Sequence, residues 1–138
     1  MKLLKVHMIG IDTNILIHYL TGDDKVQSIK AIELIEKYSG KENSIFINNI
    51  VICELVWVLE KGYKYSKEQI ILVLKEIFST VEFSFENQQV LWLSVLEYEN
   101  YKTDFPDILI GKLNIFNGCN YTVTFDKVAS ELTIFNNL

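Results

Sequence analysis

Residues 44–60, SIFINNIVICELVWVLE, join a short strand pattern to a helix pattern that carries Glu54 inside an apolar run. If this segment is helical, the residues one turn away from Glu54 are all apolar: Ile50, Val51, Trp57 and Val58. We therefore expect Glu54 to be withdrawn from water. Removing a carboxylate from water costs free energy unless a cation or hydrogen-bond donors contact it. This stretch predicts a strand followed by a helix, and it singles out one acidic side chain.

The same alternation of strand and helix patterns extends along the chain. The strand patterns VHMIGI, VEFSF and YTVTF, with LTIF as a short fifth, are separated by helix patterns, one of which opens with the capping box SKEQ at 66–69. Strands separated by helices imply crossover connections and a parallel sheet with helices on both faces. We expect one α/β domain over residues 1–138, with three α/β/α layers and a mainly parallel sheet of four to five strands.

Composition narrows the class of protein. A chain of 138 residues with 49% hydrophobic residues and one proline is typical of a compact globular domain. Its apolar stretches are shorter than a membrane span, and MKLLKVHMIGID at the N-terminus is interpreted as a first strand rather than a signal peptide. Cys53 and Cys119 are isolated, which favours reduced thiols in the cytoplasm over a zinc site.

Four of the six aspartates lie where a parallel sheet or a helix begins or ends. Asp12 and Asp126 end the first and fourth expected strands, and Asp104 and Asp107 open the helix in DFPDILIGKL. In a parallel sheet the carboxyl ends of the strands share one edge, where sites form. Each residue also has a simpler interpretation: Asp12, Asp104 and Asp107 as helix caps, and Asp126 as a turn residue.

Taken together with Glu54, these carboxylates would repel one another strongly without a cation. Carboxylate oxygens are preferred ligands of Mg²⁺ and Mn²⁺, so we expect Glu54 to meet such an ion. The chain has 18 acidic and 13 basic residues, and without the five carboxylates the two classes are equal in number. The net charge of −5 is therefore compatible with a phosphodiester substrate that binds through metal.

Four segments, in order, resemble the motifs of the PIN-domain family, and specifically the VapC-type toxin ribonucleases of bacterial toxin–antitoxin pairs. IDTNILI resembles the first motif, ICELVWVLEKGY the helix that carries the family's glutamate, TDFPDILIG the D-x-x-D-x-x-I segment and TVTFDK the T-x-D motif. The resemblance runs nearly from end to end. The sequence departs from the family pattern in two places: Asn48 replaces a usual Ser or Thr, and Gly111-Lys112 replaces a usual pair of small residues.

The resemblance implies a PIN-like fold and a set of site residues. The metal-binding and catalytic quartet would be Asp12, Glu54, Asp107 and Asp126, with Asp104 as a candidate auxiliary ligand or cap. Side chains that would orient the carboxylates or water are Thr13, Asn14 and Thr124. Lys112 is a candidate contact for substrate phosphate, or is simply solvated.

The resemblance also implies an activity and partners. The activity would be cleavage of RNA phosphodiester bonds by water that Mg²⁺ or Mn²⁺ activates, as in an endoribonuclease. The partners would be a VapB-like antitoxin and a second toxin copy. The candidate apolar surface includes Tyr19, Leu20 and the helices after Lys25 and Val51, although each of these residues could equally belong to the core.

Two other classes of protein fit the sequence less well. A haloacid-dehalogenase-type phosphatase needs a second aspartate two residues after the first, where this chain has Asn14, and a receiver domain needs an aspartate after the middle strand, where VEFSF is followed by Glu86. A non-catalytic PIN-like module that binds RNA or protein is the main alternative to an enzyme.

Overall fold

A computed structural model describes residues 7–138 of the chain, so the beginning of the expected first strand lies outside the described residues. The chain divides into two compact units, one formed by the described residues up to 64 together with 79–86, and the other by residues 65–78 and 87–138. The strands are β1 (Ile9–Gly10), β2 (Ile45–Ile47), β3 (Phe83–Phe85), β4 (Thr122–Thr124) and β5 (Phe135–Asn137). The helices are α1 (Thr13–Thr21), α2 (Lys25–Glu36), α3 (Asn49–Lys61), α4 (Lys67–Phe78), α5 (Gln88–Asn100) and α6 (Phe105–Phe116), with a short 3-10 helix at Ala129–Glu131.

The first unit is built on a three-stranded parallel sheet in the order β1-β2-β3. Ile45 on the central strand is aligned with Ile9 on one side and with Phe83 on the other. Ile45 and Ile47, which point to the same face of the central strand, are fully buried, whereas Phe46 on the opposite face is half-buried. The predicted parallel direction of these strands is confirmed, and the structure adds their order.

Side-chain caps mark where the helices of the first unit begin. The side chain of Asp24 accepts a hydrogen bond from the Gln27 N–H at 3.0 Å at the start of α2. At the start of α3, Asn48 Oδ1 accepts from the Val51 N–H at 3.0 Å. Asn48, one of the two departures from the family pattern, therefore performs the capping role for which Ser or Thr would also be suited.

The second unit contains α4, α5, α6 and a two-stranded parallel sheet of β4 and β5. The predicted capping box is confirmed: Ser66 N–H donates to Gln69 Oε1 at 2.8 Å, and Gln69 N–H donates to Ser66 Oγ at 3.2 Å. Beyond the end of α6 lies Gly118 at φ +97°, a value that glycine adopts without strain.

The single sheet of four to five strands is only partly right. Within residues 7–138 there are five strands, all paired in parallel, but they form one sheet of three and one of two strands. The fifth strand also begins later than LTIF predicts, because the Phe135 N–H donates to the Leu132 carbonyl at 3.0 Å and closes a turn over these residues. The three-layer arrangement and the single domain stay predictions.

In the described part of the chain, each helix is too short or too polar to cross a bilayer.

Candidate functional site

In the first unit, Asp12 stands where the chain leaves β1 and enters α1. Its backbone is extended, and its Oδ1 accepts a hydrogen bond from the Ile15 N–H at 3.1 Å, so the side chain caps α1. This hydrogen bond confirms the interpretation of Asp12 as a helix cap. One of the two carboxylate oxygens takes part in this bond, and the side chain is exposed. A capping aspartate is held in one orientation, which also suits a ligand.

Glu54 is not withdrawn from water, and in this respect the sequence-based prediction is wrong. It lies on an exposed face of α3, where Ile50 and Trp57 are themselves 70% and 63% exposed. The apolar run occupies both faces of the helix, with the core side formed by Val51, Ile52, Leu55, Val56 and Leu59. The apolar residues one turn away from Glu54 therefore did not mean that Glu54 itself is buried.

The partner of Glu54 in the described structure is a hydroxyl group. Thr13 Oγ1 donates to Glu54 Oε1 at 2.8 Å, which connects the first residue of α1 to α3. A cavity of about 270 Å³ opens at this contact and is lined by Asp12, Thr13, Asn14, Glu54, Trp57 and Val58. Sequence reasoning did not assign Trp57 and Val58 to the site, although their positions three and four residues after Glu54 place them on its side of the helix.

In the second unit, three carboxylates act on one another at the start of α6 and after β4. Burial raises the pKa of Asp107 above its usual value, and the negative charges of Asp104 and Asp126 raise it further. Asp107 is half-buried in the first turn of α6, whereas Asp104 and Asp126 are exposed. These three side chains are therefore close enough in this unit for their charges to interact.

Asp104 and Asp126 differ in their backbone roles. Asp104 occupies the capping position of α6, but within the described residues its side chain accepts no capping hydrogen bond, so this part of the D-x-x-D capping interpretation is wrong. Asp126 Oδ1 accepts from the Val128 N–H at 2.8 Å and from the Ala129 N–H at 3.2 Å, which is the expected turn role. Thr124 Oγ1 in turn accepts from the Asp126 N–H at 3.0 Å.

Lys112 contacts a different part of the second unit. Its Nζ lies 3.7 Å from Glu97 Oε1, and its side chain lines a mainly apolar cavity of about 290 Å³ with Gln89, Val90, Leu93, Ile115 and Phe116. Contact between Lys112 and substrate phosphate stays a prediction.

The carboxylate oxygens in each unit are of the chemical type that binds a hard divalent cation. Within residues 7–138, no group of three or more His, Cys, Asp or Glu side chains is already arranged to hold a metal ion. However, the pKa of Asp107 is raised by burial first and by the charges of Asp104 and Asp126 second, so its ionised form is disfavoured. A nearby cation would reverse this effect, because it favours the ionised form.

Comparison with known proteins gives two matches. Residues 9–134 match the family model of the PIN domain. A VapC ribonuclease of Aquifex aeolicus (strain VF5) is 32% identical over 100 residues, which are 72% of this chain and 73% of that protein. The matched range of the family model contains the carboxylates described above in both units.

Proposed function

Because the chain belongs to the PIN-domain family, and to its VapC type, we propose that it is a metal-dependent endoribonuclease and the toxin of a toxin–antitoxin pair. The observation that carries this proposal is the cavity that Asp12 and Glu54 line together, with Thr13 bonded to Glu54. Carboxylates from two different elements share this cavity, so they are suited to bind one ligand. The repulsion that Asp104 and Asp126 exert on the charge of Asp107 supports it.

The residues proposed to hold Mg²⁺ or Mn²⁺ are Asp12, Glu54, Asp107 and Asp126, with Asp104 as an auxiliary ligand. Carboxylate oxygens are the ligands that these ions prefer. When bound, a divalent ion lowers the pKa of water and offsets the negative charge that builds up in the transition state of phosphodiester cleavage.

The chain's own residues would keep the carboxylates in place. The Thr13 hydroxyl limits the rotation of Glu54, since it donates to one of its two oxygens. Asp12 and Asp126 are fixed by backbone N–H donors, Asp12 at the start of α1 and Asp126 in the turn after β4. Such hydrogen bonds orient ligands before they bind, which reduces the entropy lost on binding. Asn14, which lines the same cavity as Asp12, is proposed to orient water or substrate.

The proposed partners are RNA, a VapB-like antitoxin and a second copy of the chain. On α2, Val26 and Ile29 are exposed apolar side chains, whereas Tyr19 and Leu20 on α1 are half-buried. We expect exposed apolar residues of α2 to contribute to the proposed homodimer. Sedimentation of the wild type and of Val26→Lys tests this, with a shift to monomer as the expected result.

The test of the activity is RNA cleavage with Mg²⁺, with Mn²⁺ and with a chelator. We expect cleavage only with metal, and loss of cleavage in Asp12→Asn, Glu54→Gln and Asp107→Asn without unfolding. Asp24→Asn is the matched control for Asp12→Asn, since both aspartates cap a helix but Asp24 does not line the cavity. Asp104→Asn should cost less activity than Asp107→Asn, since Asp104 is exposed and proposed as an auxiliary ligand, whereas Asp107 is half-buried in the first turn of α6.

A second measurement separates binding of metal from catalysis. Calorimetric titration of the wild type with Mn²⁺ should show uptake that Glu54→Gln weakens. Wild-type protein that takes up neither metal and cleaves no RNA would instead support a non-catalytic PIN-like binding module.

A further inference from the structure

We propose that Trp57 is a stacking platform that holds an unpaired base of the RNA substrate beside the carboxylates of the first unit. This inference rests on the proposed function, because it assumes that RNA reaches the cavity of Asp12 and Glu54. It adds a positioning residue, Trp57, and it requires a base that is unpaired at the point of contact.

The position of Trp57 is the first argument. Trp57 lies three residues after Glu54 on α3, and both side chains line the cavity of about 270 Å³ that also includes Asp12. Residues three apart on a helix are neighbours on its surface. When a phosphate of an RNA strand is near Asp12 and Glu54, the indole ring of Trp57 is therefore within reach of a neighbouring base.

The exposure of Trp57 is the second argument. The side chain is 63% exposed, although a tryptophan gains much by burial. The chain's other tryptophan, Trp92, behaves as a packing residue: it is half-buried, and its ring meets that of Phe78 edge-on with centroids 5.8 Å apart. Most of the Trp57 side chain can therefore contact a flat ligand, whereas the Trp92 ring packs against Phe78.

Charge favours stacking over ionic binding on this surface. The chain has a net charge of −5 and no arginine, and the cavity walls include two carboxylates. Binding of a polyanion here needs contacts that do not depend on positive side chains. Stacking of a base on an aromatic ring meets this need, and it requires a base that is not already stacked in a duplex.

A protein partner is the competing occupant of this face, because Ile50 is also exposed one turn before Glu54. A protein that covered both Ile50 and Trp57 would also remove the intervening Glu54 from water. Burying that carboxylate costs free energy unless the partner supplies a matching cation. A single base on Trp57 leaves Glu54 solvated, so we favour RNA.

The experiment uses the full chain with Trp92→Phe and Asp107→Asn, in which Trp57 is the one remaining tryptophan and cleavage is suppressed. With Mg²⁺ present, a mixed-sequence single-stranded RNA hexamer should quench the Trp57 fluorescence in a saturable manner, and a blunt duplex of the same sequence should not. In anisotropy titrations with labelled hexamer, Trp57→Ala should bind about 5- to 150-fold more weakly, and Trp57→Phe should recover most of the affinity.

Phe116→Ala is the matched control, because Phe116 is 62% exposed but lines a cavity other than that of Asp12 and Glu54. It should bind the hexamer as tightly as the parent. The proposal is overturned if the hexamer does not quench Trp57, if the duplex quenches it equally, or if Trp57→Ala binds RNA unchanged. It is likewise overturned if Trp57→Ala alters only the sedimentation of the protein, which would assign this face to a protein interface. A further outcome is that the wild type cleaves no RNA although the hexamer quenches Trp57 in a saturable manner. This result would refute the proposed nuclease activity and support the stacking role.

Discussion

The hydroxyl of Thr13 lies 2.8 Å from Oε1 of Glu54 and donates a hydrogen bond to it, which connects the start of α1 to the exposed side of α3. Removing such a bond leaves the carboxylate free to rotate, and outer-shell partners of this kind are worth about 10- to 100-fold in metal affinity or activity. We predict that Thr13→Val lowers RNA cleavage by about that factor, measured as kcat/KM, and that Thr13→Ser restores it. Equal activity of Thr13→Val and wild type would contradict the positioning role.

Asp12 combines a structural role with the proposed catalytic one, and two substitutions separate them. Asn retains an oxygen that can accept from the Ile15 N–H, so Asp12→Asn should melt close to the wild type while losing cleavage. Asp12→Ala loses the cap as well, which costs about 1 kcal/mol, or a few degrees in melting temperature. Thermal melts of the two variants in chelator check this. Similar melting of Asn and Ala variants would show that the cap contributes little.

Asp107 should destabilise the metal-free protein once it is ionised. Its pKa is raised in the folded state, first by burial and then by Asp104 and Asp126, so between the usual value of 3.8 and the raised value the fold binds a proton more tightly than the unfolded chain does. Stability therefore falls as the pH rises through this window and stays lower above it. Asp107→Asn should melt a few degrees above the wild type at neutral pH in chelator, and this gain should vanish below pH 3.8.

Asp104→Asn tests the same electrostatic account through a neighbour. It removes one of the charges that raise the pKa of Asp107, so it should give a smaller gain in melting temperature than Asp107→Asn. Identical melting of wild type and both variants at neutral pH would mean that these carboxylates do not act on one another.

Asp23, which follows α1, has a pKa that is shifted in the direction opposite to that of Asp107. Its pKa is lowered to about 2, mainly by hydrogen bonds from Tyr63 and Thr21, with a smaller contribution from His18. A lowered carboxyl pKa stabilises the fold above the unfolded value of 3.8, and this stabilisation is lost as the pH falls toward 2. Tyr63→Phe should therefore lower the urea midpoint at pH values above 3.8, with the difference shrinking toward pH 2. A difference that does not change with pH would point to packing of the phenol ring instead.

Gly111 is required by close packing in the second unit. A Cβ at this position would lie 2.7 Å from Phe135 Cε2 and 2.8 Å from Ile134 Cδ1, so both side chains would have to move. The helix propensity that alanine adds, about 1 kcal/mol, is outweighed if overpacking costs about 1–3 kcal/mol. We predict that Gly111→Ala lowers the melting temperature and that adding Phe135→Leu recovers part of the loss. A higher melting temperature for Gly111→Ala alone would show that the side chains move at little cost.

The local features of the fold could be predicted because the interactions that set them span only a few residues. The cap at Asp12 and the capping box at 66–69 each depend on hydrogen bonds within one turn. Parallel pairing was also predictable, since strands separated by helices cannot form hairpins.

The sequence by itself determined the order of helices and strands, their parallel pairing and the acidic residues of the candidate site. Only the tertiary structure decided how the strands divide into two sheets, that Glu54 is exposed beside Thr13, and that Trp57 lines the cavity while Trp92 packs on Phe78. The physical reason is that exposure depends on which other segments cover a helix face. An apolar run such as 50–59 supplies more apolar side chains than one buried face can hold, and so it does not show which of them the fold leaves in water.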